Sequence, residues 1–125
     1  MSKYGEVAIE ASRLVVDGLS PRVAWQNAVI SVFPNSKSQQ EKGCPRGAFL
    51  GLCEEGRIVG IPTGSYTRSR DNKKYALRAI EFLTQDPSLA NDITALWKRI
   101  MNGHRKVHNS QMDVVVALWR RGLIS

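Results

Sequence analysis

Apolar residues recur three and four positions apart along nearly the whole chain, and that single period predicts helices almost everywhere. Tyr4, Val7, Ala8, Ala11, Leu14 and Val15 draw the first stripe, an amphipathic helix over 3–17 that stops at Gly18. Ser20-Pro21 opens the second, with serine as cap, proline at the first helical position, and Ala24, Trp25, Ala28, Val29 and Val32 as the inner face. Pro34 closes it. A short polar helix is expected over 36–42, ending at Gly43. Pro45 then reads as the first residue of a helix carrying Ala48, Phe49, Leu50, Leu52 and Cys53, closed by Gly56. Asp71 reads as the cap of a helix whose stripe is Tyr75, Ala76, Ala79, Ile80 and Leu83. Asp86-Pro87 starts a turn or short helix, and Asp92 caps 93–102 with Leu96, Trp97, Ile100 and Met101 apolar. Asn109-Ser110 are expected to cap the last helix, which buries Val114, Val115, Leu118 and Trp119 and ends at Gly122.

One stretch escapes the period. Residues 57–70, "RIVGIPTGSYTRSR", are broken by Gly60, Pro62 and Gly64 and read as a loop with one short extended piece at 57–61. The expected fold is therefore all-α: a single domain over 1–125, a bundle of about six short helices with one irregular basic loop at about 57–70. A chain of 125 residues buries roughly two-thirds of its unfolded surface, enough for a core without staples. Its apolar runs, such as Val114–Trp119, fall far short of the roughly 20 residues a membrane span needs, so no membrane partner is expected. The opening "MSKYGEVAIEAS" lacks the apolar core of a signal peptide, which points to the cytoplasm. Cys44 and Cys53, nine apart on one helix, would lie about 13 Å apart and on opposite sides, too far for a disulfide. Free thiols in a reducing compartment follow.

Charge is the second signal. Residues 1–56 carry six bases and six acids, whereas 57–125 carry twelve bases and five acids, so the whole net charge of +7 lies in the second half. Such asymmetry suggests an anionic partner. Its densest part is "YTRSRDNKKYALR". Arg68, Arg70, Lys73, Lys74 and Arg78 lie within eleven residues against Asp71 alone, and the two lysines read as first-turn residues, where positive charge opposes the helix dipole. Thr67, Ser69 and Asn72 add donors for phosphate, and Tyr66 and Tyr75 are rings on which bases can stack. The competing reading is a solvated loop whose arginines pair with Glu54, Glu55 or Glu81.

Two further motifs bear chemistry. In "GCPRGAFLG", residues 43–51, Cys44 reads as the N-cap, where the positive helix terminus and Arg46 favour a thiolate; His104 or His108 would be its base. The preferred reading is architectural, because glycine inside a helix costs about 0.5–1 kcal/mol against alanine and Gly47 and Gly51 need a close neighbour in return. Gly43 would make the turn, and Arg46 would point outward to the basic loop or an anion. In "GHRKVHN", His104 and His108 have a spacing that can share a metal, but Gly103 interrupts the helix and no further ligand frame accompanies them. A polar loop is preferred, and no cofactor or metal is expected. A helix-turn-helix over 36–55 is rejected, since its second helix would be apolar and end in two glutamates where base edges want arginine, asparagine or glutamine.

Taken together, "EKGCPRGAFLGLCEEG", "YTRSRDNKKYALRAIEFL" and "HNSQMDVVVALWRRGLI" resemble a family of small uncharacterised bacterial proteins. The resemblance spans most of the chain and implies a stand-alone bacterial protein without an assigned activity or site. The expected function is a non-enzymatic binding module for an anionic ligand or nucleic acid, acting through 68–78 with Arg46 and Tyr66 beside it. The alternatives are a protein–protein or self-association module, with three tryptophans on its apolar stripes, and a thiol enzyme centred on Cys44.

Overall fold

The stripes do fold into helices. The computed structural model describes residues 2–125, and among these there are six α-helices of nine residues or more, one isolated α-turn and one 3-10 segment. Helix α1 spans Lys3–Val16, capped by Ser2, whose hydroxyl accepts from the Gly5 amide at 3.0 Å, and it buries Tyr4, Val7, Ala8 and Ala11. The chain turns through Gly18 at φ +115° into α2, Pro21–Val32, capped by Ser20 with Pro21 as its first residue. The single turn α3, Lys37–Gln40, is capped by Ser36.

Helix α4 runs Gly43–Glu54 and starts two residues earlier than the proline suggests. Lys42 is the N-cap residue, Gly43 the first helical residue rather than a turn, Cys44 the second and Pro45 the third. Proline is accepted there because none of a helix's first amides has an intrahelical partner, so its missing N–H costs nothing anywhere in the first turn. Eight of the twelve residues of α4 are buried, so it runs through the centre of the molecule. Fully burying a side chain such as Phe49 stabilises by about 2–3 kcal/mol, and Phe49 lies 5.2 Å from the Trp25 ring.

After Gly56 the chain extends. Ile58 bridges Ile124 in antiparallel fashion, with the Val59 amide donating to the Leu123 carbonyl and the Ser125 amide to the Arg57 carbonyl. The short extended piece is thus present, held by residues that follow the last helix. Helix α5, Arg70–Gln85, has Ser69 as its N-cap residue; Asp71 lies inside the first turn instead of capping it. A 3-10 segment, Pro87–Asn91, leads to α6, Ile93–Met101, capped by Asp92 and ended by Asn102 and Gly103 at positive φ. Helix α7 is Gln111–Arg120. It packs against α1, α4, α5 and α6, while α1 lies along α2 and α4 along α5. One continuous core joins all of these.

The cap of α7 differs from expectation. Ser110 sits at φ +69° and its side chain makes no cap bond. The imidazole of His108 does the work instead: its Nε2 accepts from the Met112 amide at 3.1 Å. Trp25 and Trp97 are buried, but Trp119 is only half-buried at the edge of the core. No helix is long and apolar enough to cross a membrane among the described residues.

Candidate functional site

The site begins with two glycines. A Cβ on Gly51 would lie 2.6 Å from Lys73 Cβ and 2.7 Å from Lys73 Cα, and one on Gly47 would lie 2.9 Å from Ser69 Oγ. Only a bare backbone lets α4 approach the start of α5 this closely. The architectural reading holds for Gly47 and Gly51, though not for Gly43 as a turn, and its consequence is positional: the basic segment is seated directly on the central helix.

Glu54, near the end of α4, fastens the loop from the other side. Its Oε1 accepts from the Tyr66 and Thr67 amides at 2.7 and 3.0 Å, and its Oε2 lies 2.8 Å from Lys73 Nζ. The Lys73 ammonium, then these two amides, hold the carboxyl at about 2, well below its ordinary range. Lys73 also reaches Glu55 at 2.5 Å. Lys73 is therefore a structural cation, tied to two carboxylates, and this corrects its expected place among the free bases. It is the fourth residue of α5 and Lys74 the fifth, so neither occupies the first turn.

The remaining bases stay open. Among the described residues Arg46, Arg68, Arg70, Lys74 and Arg78 form no ion pair. Arg46, Arg68, Arg70 and Lys74 are exposed; Arg78 is half-buried, its guanidinium 5.8 Å from the Phe82 ring centre. Three open grooves meet at Arg68 and Ser69. The first, about 950 Å³, runs past Arg70, Lys74 and Arg78. The second, about 650 Å³, leads past Asn72 to Lys106 and His108. The third, about 430 Å³, holds Arg22 and Arg46 and is lined by no acid among the described residues. Across the three, eight bases face four acids.

Arg22 and Lys106 are the members that sequence reading missed. Arg22 comes from the first turn of α2 and Lys106 from the loop after α6, and only the packing of separate elements brings them to the basic loop. No local signal marks either. Tyr66 lines the third groove, but its hydroxyl donates to the Pro62 carbonyl at 3.0 Å. Tyr75 meets Trp97 edge-on at 5.2 Å and carries the Lys106 ammonium 5.5 Å above its ring. Both rings thus serve local packing.

A polar chain ties the second groove to the helices. The Asn109 amide donates to Gln111 Oε1 at 2.7 Å, Gln111 Nε2 to Asn72 Oδ1 at 3.1 Å, and Asn72 Nδ2 to Ser69 Oγ at 2.8 Å. Gln111 is buried, and this chain satisfies both ends of its amide. Cys44 and His108 line this groove together. The His108 nitrogen that would accept a thiol proton is already engaged by the Met112 amide, and burial holds the imidazole below its ordinary value against the opposing pull of Asp113. His104 is exposed on the loop after α6. Cys44 and Cys53 are both free, and burial pushes the Cys53 thiol far up. No group of three or more histidine, cysteine or acidic side chains gathers as a metal site among the described residues.

No curated protein and no solved structure matches the chain. A family model does match, over residues 1–125, and the chain belongs to that family, a family of unknown function (DUF6979).

Proposed function

We propose that this protein is a non-enzymatic module that binds nucleic acid by its phosphate backbone, along the surface centred on Arg68 and Ser69. The observation that carries this reading is the convergence of unpaired bases where three grooves meet. Like charges gathered in excess of their counter-charges repel one another, and an extended polyanion lowers that cost wherever it lies along them. Arginine, lysine and serine or threonine hydroxyls are the groups that hold phosphates. With the tyrosine rings engaged in packing, backbone contact is favoured over stacking on bases. The free thiols and the resemblance to small bacterial proteins support a place in the bacterial cytoplasm. A protein-docking role would draw support from an exposed tryptophan, and none of the three is exposed.

The test is fluorescence polarisation with single-stranded and duplex oligonucleotides across a salt series. Six open bases predict a log–log slope of about −4 to −5. Arg68→Ala, at the junction, weakens binding about tenfold and reduces the slope by about one. Absence of binding to either form at low salt refutes the reading.

A further inference from the structure

The third groove differs in kind from the other two. Arg22 of α2, Arg46 of α4 and Arg68 of the loop, three arginines from three elements, line one space of about 430 Å³. No carboxylate lines that space, and none of the three pairs with an acid among the described residues. Thr67 and Ser69 supply hydroxyls on the same wall, and Gly43 leaves the start of α4 bare beside them, where Lys42 provides no side-chain cap. The other grooves each contain acids, including Glu54 and Glu55 in the first and Asp71 in the second.

A phosphodiester carries a single negative charge, whereas a phosphomonoester carries about −1.5 to −2 at neutral pH and offers three acceptor oxygens. Three planar forks match the second better, since arginine binds phosphate oxygens in pairs. We infer that the Arg22–Arg46–Arg68 groove is a phosphomonoester site, for either the phosphorylated end of a nucleic-acid strand or a free nucleotide. Only the strand arm of this inference rests on the nucleic-acid reading above. Joined to it, the site would make the protein an end-binder as well as a backbone-binder.

The experiment uses the full chain and one oligonucleotide sequence in three forms: 5′-phosphorylated, 3′-phosphorylated and hydroxyl at both ends, each labelled away from the end tested. One phosphorylated form is expected to bind about tenfold tighter than the hydroxyl form. Arg22→Ala brings that ratio close to one. Lys74→Ala, in the first groove, weakens all three forms together and keeps the ratio. A parallel calorimetric titration with a nucleoside 5′-monophosphate tests the pocket without any strand. If no strand binds but the mononucleotide does, and Arg46→Ala abolishes that binding, the backbone reading falls while the pocket stands, with free nucleotide as its ligand. Equal affinity for all three strand forms together with no mononucleotide binding overturns the inference, even where strands bind. Arg22 and Arg46 are exposed, so unchanged thermal melts of the variants show that loss of binding is not loss of fold.

Discussion

Three residues carry the tightest constraints at the scale of single residues. Glu54 accepts three hydrogen bonds, two from loop amides and one from an ammonium, so Glu54→Gln leaves Lys73 without its best partner and should destabilise by about 2 kcal/mol in denaturant unfolding. Its pH behaviour has a definite sign. The folded-state value of about 2 lies below the ordinary carboxylate value, so the contribution is complete near neutrality and is lost as pH falls from about 4.5 towards 2. His108 acts in a higher window. Its neutral form accepts the Met112 amide, and its folded value is lowered, so the unfolded chain takes up the proton first and stability falls as pH drops below about 6.5. Thermal melts between pH 7.5 and 5.5 should show this loss, and His108→Ala, less stable at pH 7.5, should show a flatter profile. Gly51 is a steric constraint. Alanine there gains up to about 1 kcal/mol of helix propensity but sets its methyl against the Lys73 backbone, for a net loss of about 1–2 kcal/mol, and Gly51→Leu should cost several.

Among the elements, helix interiors were legible in the sequence and helix starts less so. The buried stripes of α1, α2, α5 and α6 fall on the expected positions because a 3.6-residue period needs only local information. Starts at Ser20, Ser36, Asp86 and Asp92 were equally plain, since each side chain accepts an amide of its own first turn. The start of α4 was misplaced because proline fits any first-turn position, and that of α5 because Asp71 lies inside the first turn with Ser69 before it; α7 starts after Ser110 as expected, but its capping group is a histidine two residues earlier. The site was half legible. Arg68, Arg70, Lys74 and Arg78 line the grooves as the charge run suggested, and Arg46 joins them from the start of α4, yet whether a lysine in such a run is open or tied depends on what faces it. Lys73 faces Glu54 and Glu55 because Gly51 draws the two helices together. Arg22 could not be found at all from its neighbours in sequence, Pro21 and Val23, which give it no charged company. The packing of α4 on α5 thus both supplies the site's geometry and removes one of its cations. A charge-reversed pair, Lys73→Glu with Glu54→Lys, should recover part of the stability lost in either single variant, measured as a coupling in a double-mutant cycle.

On the scale of the whole molecule, charge is segregated while the core is shared. The excess of bases in the second half of the sequence reaches the first half through Arg22 and Arg46, so one face of the bundle draws on both. The loop that carries Arg68 is tied down at both ends, by the Ile58–Ile124 bridge on one side and by Glu54 and the start of α5 on the other. A ligand settling on it therefore finds the backbone already ordered, and little of its binding free energy goes into arresting motion. The exchange of main-chain protons with heavy water reads this directly. The Tyr66 and Thr67 amides, both bonded to Glu54, should exchange slowly in the free protein and change little when nucleic acid is added, whereas in Glu54→Ala, which lacks the acceptor oxygen, they should exchange fast until the ligand arrives.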